Sequence, residues 1–351
     1  MKLITNEKIE AAILFEQKKP LVFEKIELQD ELEVGQVFVK LHTSGICGSQ
    51  IGEIEGVKGK DLYLPHLMGH EGCGTVLQVG PGVKTVSVGD KVVLHWKRGE
   101  GIQSQTPSYT LNGTKINAGW VTTFNSHSIV SENRCTKIPS ETDNQLAALF
   151  GCAITTGFGV IENNAQLKMG ESIVIFGSGG VGLNMIQAAS LHSAWPIIAV
   201  DIFDNKLDLA KKFGATHTIN TNKKDVRTKI NSILGNKGVD VFVDNTGIPE
   251  IIEIGYSLLN NQGRLILVGV PKIGSNINIF SLPMHFGKKI IGSHGGESSP
   301  ERDIPRFLNL LKNGKLNFKE IISKKYKLKE INQAIASFKD GSLAGRIIIE
   351  L

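Results

Sequence analysis

The second half of the chain alternates between strand and helix patterns, and this alternation constrains the fold more than any other feature. Between Gly170 and Gly292, short apolar runs rich in valine and isoleucine are separated by helical segments. The predicted strands read ESIVIFG, IIAVD, THTIN, VDVFVDN and GRLILVG. Strands joined by helical crossovers run parallel and bury both faces of their sheet. We therefore expect a doubly wound α/β sheet with helices on both faces.

A glycine-rich loop follows the first of these strands and predicts a dinucleotide site. The loop reads Gly177, Ser178, Gly179, Gly180, Val181, Gly182 and fits G-x-G-x-x-G. The first motif glycine permits a tight turn, the second lets backbone approach a pyrophosphate, and the third lets the helix pack on the strand. The N-terminus of that helix then faces the phosphates. Strand, loop and helix in this order predict a Rossmann dinucleotide-binding domain.

The next predicted strand ends in Asp201, nineteen residues after Gly182. A carboxylate at this place accepts hydrogen bonds from the adenosine ribose hydroxyls and repels a 2′-phosphate. We therefore expect NAD as the cofactor in preference to NADP. Lys206 either covers the adenosine side or is a surface residue, and the sequence does not decide between them.

The remaining sequence predicts a second, β-rich domain. From Phe38 to about Val130, short apolar runs are interrupted by glycine and proline, which is typical of irregular β-structure. After Gly292 two helical segments lead to a last strand, AGRIIIEL, which we expect to rejoin this first domain. The predicted division is a catalytic domain at 1–153 and 293–351 and an NAD-binding Rossmann domain at 154–292.

Charge and hydropathy exclude several classes of partner. The formal net charge of +5 is modest for 351 residues, and the lysines are spread along the chain, which argues against nucleic acid. No run of eighteen apolar residues occurs, and the N-terminus lacks the apolar stretch of a signal peptide, so we expect a cytoplasmic protein without membrane contact. The four cysteines lie far apart, which favours thiols or metal ligands over disulfides in a reducing compartment.

Three short segments carry candidate metal ligands: Cys47 in GICGS, His70 in GHEG and Cys152 in FGCA. A buried cysteine alone is more often a small core residue, and a lone histidine is more often a hydrogen-bonded structural group. Two thiolates and one neutral imidazole would nearly cancel the charge of Zn²⁺ and leave a fourth position open. The combination favours a metal site over three separate structural residues.

These segments, together with GSGGVG, occur in the order and spacing of a known family. The chain resembles the zinc-containing alcohol dehydrogenase branch of the medium-chain dehydrogenases/reductases over nearly all its length. The resemblance implies a GroES-like catalytic domain and one catalytic zinc on Cys47, His70 and Cys152. It also implies hydride transfer between a zinc-bound alcohol or carbonyl substrate and NAD(H).

The resemblance also assigns roles around the metal. Ser49 matches the hydroxyl that takes the alcohol proton, although it would otherwise cap a turn. Glu71 matches an outer carboxylate that tunes or briefly ligates zinc, or is a structural acid. Arg346 matches an arginine near the pyrophosphate, or is a surface strand residue. The family positions around the nicotinamide, which would serve equally as core, are Thr156, Val181 behind the ring, Val268 and Val270.

The sequence departs from the family at three places. Residues 97–120 lack the four cysteines of the family's structural zinc, so we expect no structural zinc and a loop held by other means. Gly48 stands where classical alcohol dehydrogenases have a basic residue, and C-G-S resembles the polyol and threonine dehydrogenase branch instead. Gly52 stands where many members have the histidine that ends the proton relay. The stretch 97–120 is also a candidate contact with substrate or another subunit.

The substrate and the assembly stay open at this point. A dehydrogenase of a polyol or sugar derivative is one alternative, and a non-catalytic NAD-binding or assembly protein is another. Family members are commonly dimers or tetramers joined at the edge of the nucleotide domain. We expect a homodimer or homotetramer, with LILVGV as the joining strand.

Overall fold

The computed structural model describes residues 1–5, 7–235, 237–318 and 320–351. Its first part is rich in short strands, as the glycine-interrupted apolar runs predict. The strands are β1 (Ile9–Leu14), β2 (Val22–Ile26), β3 (Gln36–Gly45), β4 (His66–Leu67), β5 (Glu71–Val79), β6 (Lys91–His95), β7 (Tyr109–Leu111), β8 (Thr114–Ile116), β9 (His127–Ser131) and β10 (Cys135–Lys137). The helices are α1 (Gly48–Ile54), α2 (Asn144–Leu149) and α3 (Ala153–Gly159).

The second part alternates strands with helices. Its elements are β11 (Ile173–Phe176), α4 (Gly180–Leu191), β12 (Ile197–Asp201), α5 (Asp204–Lys212), β13 (His217–Asn220), α6 (Val226–Leu234), β14 (Val239–Asp244), α7 (Pro249–Leu258), β15 (Leu259–Leu267) and β16 (Lys289–Gly292). The strands form one parallel sheet in the order β13-β12-β11-β14-β15-β16. Strands β11 and β12 are buried throughout, as expected with helices on both faces. The predicted doubly wound sheet is confirmed.

This strand order positions the site. The chain runs outward from β11 through β12 to β13, then crosses to β14 on the other side of β11. Beside β11 the direction of winding therefore changes, and in open α/β sheets ligands bind at the carboxyl ends of the strands at such a point. The glycine-rich loop begins directly after β11.

The C-terminal segment returns to the first part of the chain. It contains α8 (Pro300–Lys312), β17 (Ile322–Lys327), α9 (Ile331–Lys339) and β18 (Arg346–Glu350). Strand β18 pairs antiparallel with β3 and parallel with β17. The expected return of the tail is confirmed, whereas the domain boundaries at 153/154 and 292/293 stay a prediction.

The strand expected to join two subunits is not at a sheet edge. The first three residues of LILVGV, Leu265–Leu267, end β15, which is paired with β14 on one side and with β16 on the other. The prediction of that strand is wrong because both of its hydrogen-bonding edges are already used. Strand β16 forms the edge of this sheet on that side in the described part of the chain.

Among the described residues, no helix combines the length and apolar character that crossing a membrane would require.

The loop of residues 97–120, which has no cysteine, is held partly by a buried carboxylate. Glu132 accepts hydrogen bonds from the backbone N–H groups of Ile102 (2.7 Å), Lys84 (2.6 Å) and Thr85 (2.8 Å). Burial opposes ionisation of Glu132, but the three N–H donors outweigh it and hold the pKa of this carboxyl below its usual value. One side chain thus ties the loop to two other backbone positions.

Glu132→Ala is expected to lower the free energy of unfolding by about 3 kcal/mol, because three buried N–H groups lose a charged acceptor. Chemical denaturation at neutral pH measures this difference. Because folding lowers the pKa of Glu132, its contribution is present at neutral pH and is lost as the pH falls through that lowered pKa. The matched control is Glu100→Ala, an exposed acid in the same loop. An equal decrease in the free energy of unfolding for the two variants would contradict the anchoring role of Glu132.

Candidate active site

The three predicted ligand side chains meet at one point of the cleft. Cys47 precedes α1, His70 precedes β5, and Cys152 precedes α3. Their two sulfur atoms and one imidazole nitrogen lie within 4.8 Å of one another. Both cysteines are buried free thiols. Three segments that are distant in sequence therefore present metal-binding atoms to a single position.

The chemistry of this cluster fits a zinc ion. Nε2 of His70 is buried and has no hydrogen-bond partner among the described residues, an arrangement that costs free energy unless a ligand fills it. The thiol of Cys152 and the imidazole of His70 both contact Cys47, and they lower the pKa of Cys47 well below its usual value. Two sulfurs and one imidazole nitrogen match a catalytic zinc site with an open fourth position.

Gln50 holds Cys47 in place, which the sequence analysis missed. Its Oε1 accepts a hydrogen bond from the backbone N–H of Cys47 at 2.7 Å, and its side chain is buried. The signal was available, because a glutamine three residues into a helix commonly bonds back to the residue before that helix. Gln50 thus fixes the backbone that carries one candidate ligand.

Glu71 forms a buried ion pair with Arg346 beside the metal cluster. Their side chains are 0% and 2% exposed, and Oε2 of Glu71 also accepts the backbone N–H of Ala153 at 3.2 Å. Arg346 is therefore not a surface strand residue. A Cβ built on Gly180 would lie 2.0 Å from Cδ of Arg346, so the arginine contacts the start of α4 directly. The predicted roles of Glu71 at the metal and of Arg346 at the pyrophosphate stay predictions.

Glu71→Gln is expected to lower the free energy of unfolding by about 3–5 kcal/mol, because the Arg346 charge would be left buried without its counter-ion. Denaturant titration checks this figure. The control is Glu350→Gln, which removes a partly exposed partner of Lys327 and should cost about 1 kcal/mol or less. If the two variants were equally stable, the claim that Glu71 is the counter-ion of the buried Arg346 charge would be contradicted.

The glycine-rich loop has the geometry that the motif predicts. Gly177 has φ +97°, which a side chain would disfavour. A Cβ on Gly182 would lie 2.0 Å from the carbonyl oxygen of Gly177, so the helix begins against the turn itself. Apart from its neighbours in the chain, no heavy atom of the described residues lies within 4 Å of the Cβ position of Gly179, which leaves open space for a ligand. The loop can therefore take a pyrophosphate against its backbone.

Asp201 lies at the end of β12 beside this loop. Its carboxylate accepts the backbone N–H groups of Ser178 (2.8 Å), Ile202 (2.8 Å) and Phe203 (3.1 Å). The side chain is nearly buried but lines the cleft. Nζ of Lys206 lies 4.7 Å from the ring centroid of Phe203 on the same rim. The carboxylate of Asp201 is therefore fixed beside the glycine-rich loop, and its role toward the adenosine ribose stays a prediction.

The metal cluster and the glycine loop line one cleft of about 960 Å³. Ser49 is half-buried in its wall. Val270 is half-exposed at the rim. The positions matched to the nicotinamide surroundings line the same cleft: Thr156, Val181, Val268 and Val270. All the predicted site residues except Gly182 and Glu71 line this cleft. Gly182 lies against Gly177 in the same loop, and Glu71 pairs with Arg346 of the cleft wall.

Two aromatic side chains that the sequence analysis did not single out form part of the wall. Trp96 and His294 pack edge to face with ring centroids 4.9 Å apart, and both line the cleft. Nζ of Lys97 lies 3.1 Å from Nδ1 of His294, so the start of the 97–120 loop contacts a residue of the cleft wall. Trp96 could have been found, because it directly follows the buried strand β6. His294 is about two hundred residues away and gives no local signal.

Two family models match the chain. The alcohol dehydrogenase GroES-like domain matches residues 33–140, and the zinc-binding dehydrogenase model matches residues 180–313. Among curated relatives, the S-(hydroxymethyl)glutathione dehydrogenase of Synechocystis sp. is 28% identical, covering 97% of this chain and 99% of the relative. The class-3 alcohol dehydrogenase of Cereibacter sphaeroides is 26% identical with the same coverage.

Solved structures agree over almost the whole length. An alcohol dehydrogenase zinc-binding domain protein from Burkholderia ambifaria is 30% identical with a TM-score of 0.89, covering 98% of this chain and 99% of that one. The benzyl alcohol dehydrogenase of Acinetobacter calcoaceticus is 29% identical with a TM-score of 0.88 and the same coverage. With both domain models and a full-length relative at 30% identity, the chain belongs to the zinc-dependent alcohol dehydrogenase family of medium-chain dehydrogenases/reductases.

Proposed function

We propose that this oxidoreductase interconverts an alcohol and its carbonyl with NAD(H), using one catalytic zinc. The observation that carries the proposal is the meeting of Cys47, His70 and Cys152 in the cleft that the glycine loop also lines. These three residues would hold the metal. When bound, Zn²⁺ supplies Lewis acidity toward the alcohol oxygen, and the nicotinamide accepts or donates the hydride.

Side chains of the protein would accept the proton of the alcohol and orient the substrate. The Ser49 hydroxyl lines the cleft two residues from Cys47 and would accept the alcohol proton. Gly52 has no side chain that could pass this proton outward, so a ribose hydroxyl of the bound cofactor or another group would have to pass it to water. Trp96 and His294 would form part of the wall against which the substrate binds. Arg346 in the cleft wall and Glu71 beside it link the residue after Cys152 to the start of α4.

NAD is the proposed cofactor because Asp201 presents a carboxylate at the end of β12. A 2′-phosphate at that place would meet a negative charge in a nearly buried setting. The absence of cysteine from residues 97–120, and the hold that Glu132 has on this loop, support a single catalytic zinc without a structural one.

A metal analysis combined with a substrate panel tests the function. About one tightly held zinc per chain is expected, with turnover of primary or secondary alcohols in the presence of NAD. Preference for polyols or sugar derivatives over short apolar alcohols would favour that alternative substrate class. Zinc-loaded protein that binds NADH but turns over no alcohol or carbonyl would contradict the proposal and favour a non-catalytic role.

We further propose a cytoplasmic homodimer or homotetramer. Large apolar side chains are exposed just before the edge strand β16, including Ile273, Phe280, Leu282 and Phe286. An open strand edge flanked by exposed apolar groups is a typical site of subunit association. The four unpaired cysteines agree with a reducing compartment. Light scattering after gel filtration, with Phe280→Ser and Phe286→Ser as interface variants, checks the assembly.

A further inference from the structure

We propose that Glu53, Asp61 and His66 form a second, exchangeable divalent-cation site at the mouth of the cleft. Their two carboxylate oxygens and one imidazole nitrogen lie within 4.8 Å of one another. Glu53 and Asp61 line the cleft, and none of the three belongs to the cysteine-containing cluster. The inference goes beyond the proposed function and does not depend on it.

The hydrogen bonds of His66 orient its ring so that one nitrogen can bind a cation. Nδ1 lies 2.8 Å from the carbonyl oxygen of Leu67, and because a carbonyl only accepts, Nδ1 carries the proton. In the neutral ring, the lone pair of Nε2 then points at Oδ2 of Asp61 at 2.8 Å, with Oε1 of Glu53 at 3.8 Å. A lone pair facing two carboxylates is repulsive unless a positive charge joins them. Backbone fixation of one ring nitrogen is also the usual arrangement of a metal-binding histidine.

The cluster is held in place by groups outside it. The side chains of His66 and Asp61 are only 9% and 10% exposed. Oδ1 of Asp61 accepts the backbone N–H of Tyr63 at 2.8 Å, which leaves Oδ2 free to face His66. Prior fixation of these oxygen and nitrogen atoms reduces the cost of ordering them around an ion.

Gln17 ties together the two segments that carry the carboxylates. Its Nε2 donates to the carbonyl oxygens of Glu53 (3.4 Å) and Gly59 (3.0 Å), and its Oε1 accepts the backbone N–H of Asp61 (3.2 Å). The end of α1 and the segment before β4 are thus linked through one amide. This link keeps Glu53 and Asp61 on the same side of the cleft mouth.

The donor set selects the class of cation. Two carboxylates balance the charge of a divalent ion, and the imidazole favours Zn²⁺, Co²⁺, Ni²⁺ or Mn²⁺ over Mg²⁺ or Ca²⁺. Without thiolates, the site should hold its ion less tightly than the cysteine-containing cluster. Glu53 is half-exposed, so the remaining coordination positions are open to water or to a polar group of a substrate in the cleft. The alternative is a protonated His66 paired with the two acids without any metal.

Cobalt binding to the zinc-loaded enzyme distinguishes these two states. Protein freed of excess zinc is dialysed against Co²⁺, and total bound zinc plus cobalt is measured for the wild type and for Asp61→Asn and His66→Asn. The wild type should hold about one equivalent more metal than either variant. Its added cobalt should show no thiolate-to-metal charge-transfer absorption, because the site has no sulfur. Asp208→Asn, which removes an exposed carboxylate elsewhere, is the matched control.

Two further variants keep the result interpretable. Glu53→Gln changes a half-exposed side chain, so it should fold and still weaken cobalt binding. Cys47→Ser should lose the catalytic zinc but keep the cobalt, which separates failure of this site from failure of the proposed function. Equal total metal in the wild type and in folded Asp61→Asn and His66→Asn would overturn the proposal and leave the imidazolium ion pair.

Discussion

Cys47→Ser is expected to lower kcat/KM by at least about 1,000-fold, which corresponds to about 4 kcal/mol, and to release the zinc. The reason is the loss of a thiolate from a site of two sulfurs and one nitrogen, because a serine hydroxyl at the same place is neutral and a poor zinc ligand. Steady-state kinetics and the zinc retained after gel filtration measure the two effects together.

The matched control is Cys135→Ser, since Cys135 is also buried but lies outside the cluster. Its sulfur is 3.9 Å from the carbonyl oxygen of Ser131, an acceptor that a serine hydroxyl can also use. Burial raises the pKa of Cys135, as it raises the pKa of Cys73 to about 12. Among the described residues, neither of these thiols lies in a group of potential metal ligands. Loss of zinc in the control, or full turnover in Cys47→Ser, would count against the assignment.

Asp201→Asn is expected to reduce the preference for NAD over NADP by about 100-fold, or about 2.7 kcal/mol. The substitution removes the charge that repels a 2′-phosphate and weakens the acceptor for the ribose hydroxyls. The measurement is the ratio of kcat/KM for the two cofactors with one alcohol substrate.

The control for this change is Asp204→Asn, three residues further along the chain. Asp204 is a half-exposed acid paired with Lys223 and is not among the residues that line the cleft. It should leave the cofactor ratio within about threefold, the range of an ordinary surface change. A wild-type enzyme that already prefers NADP, or an unchanged ratio in Asp201→Asn, would refute the role given to this carboxylate.

Much of the fold could be predicted because its signals are local. Strand and helix alternate within about twenty residues, and G-x-G-x-x-G lies within six, so periodicity alone predicts the parallel sheet and its loop. The ligands Cys47, His70 and Cys152 are spread over a hundred residues. They could be grouped only through the resemblance to a known family, and the structure then brought their atoms within 4.8 Å.

The remaining features depend on contacts between distant residues. Nothing local shows that Glu132 anchors the 97–120 loop, or that His294 packs on Trp96. Arg346 and Glu71 are far apart in sequence. The sequence around Arg346 therefore cannot show whether this arginine is a surface residue of a strand or the partner in a buried ion pair. The wrong choice of LILVGV has a similar cause, because an apolar strand pattern does not say which strand is at the edge.

Diffraction from crystals of the zinc-loaded enzyme, recorded on both sides of the zinc absorption edge, tests the metal assignment most directly. The expected result is an anomalous peak about 2.3 Å from the sulfurs of Cys47 and Cys152 and about 2.1 Å from Nε2 of His70. An active crystal with no anomalous peak among these three atoms would contradict the account.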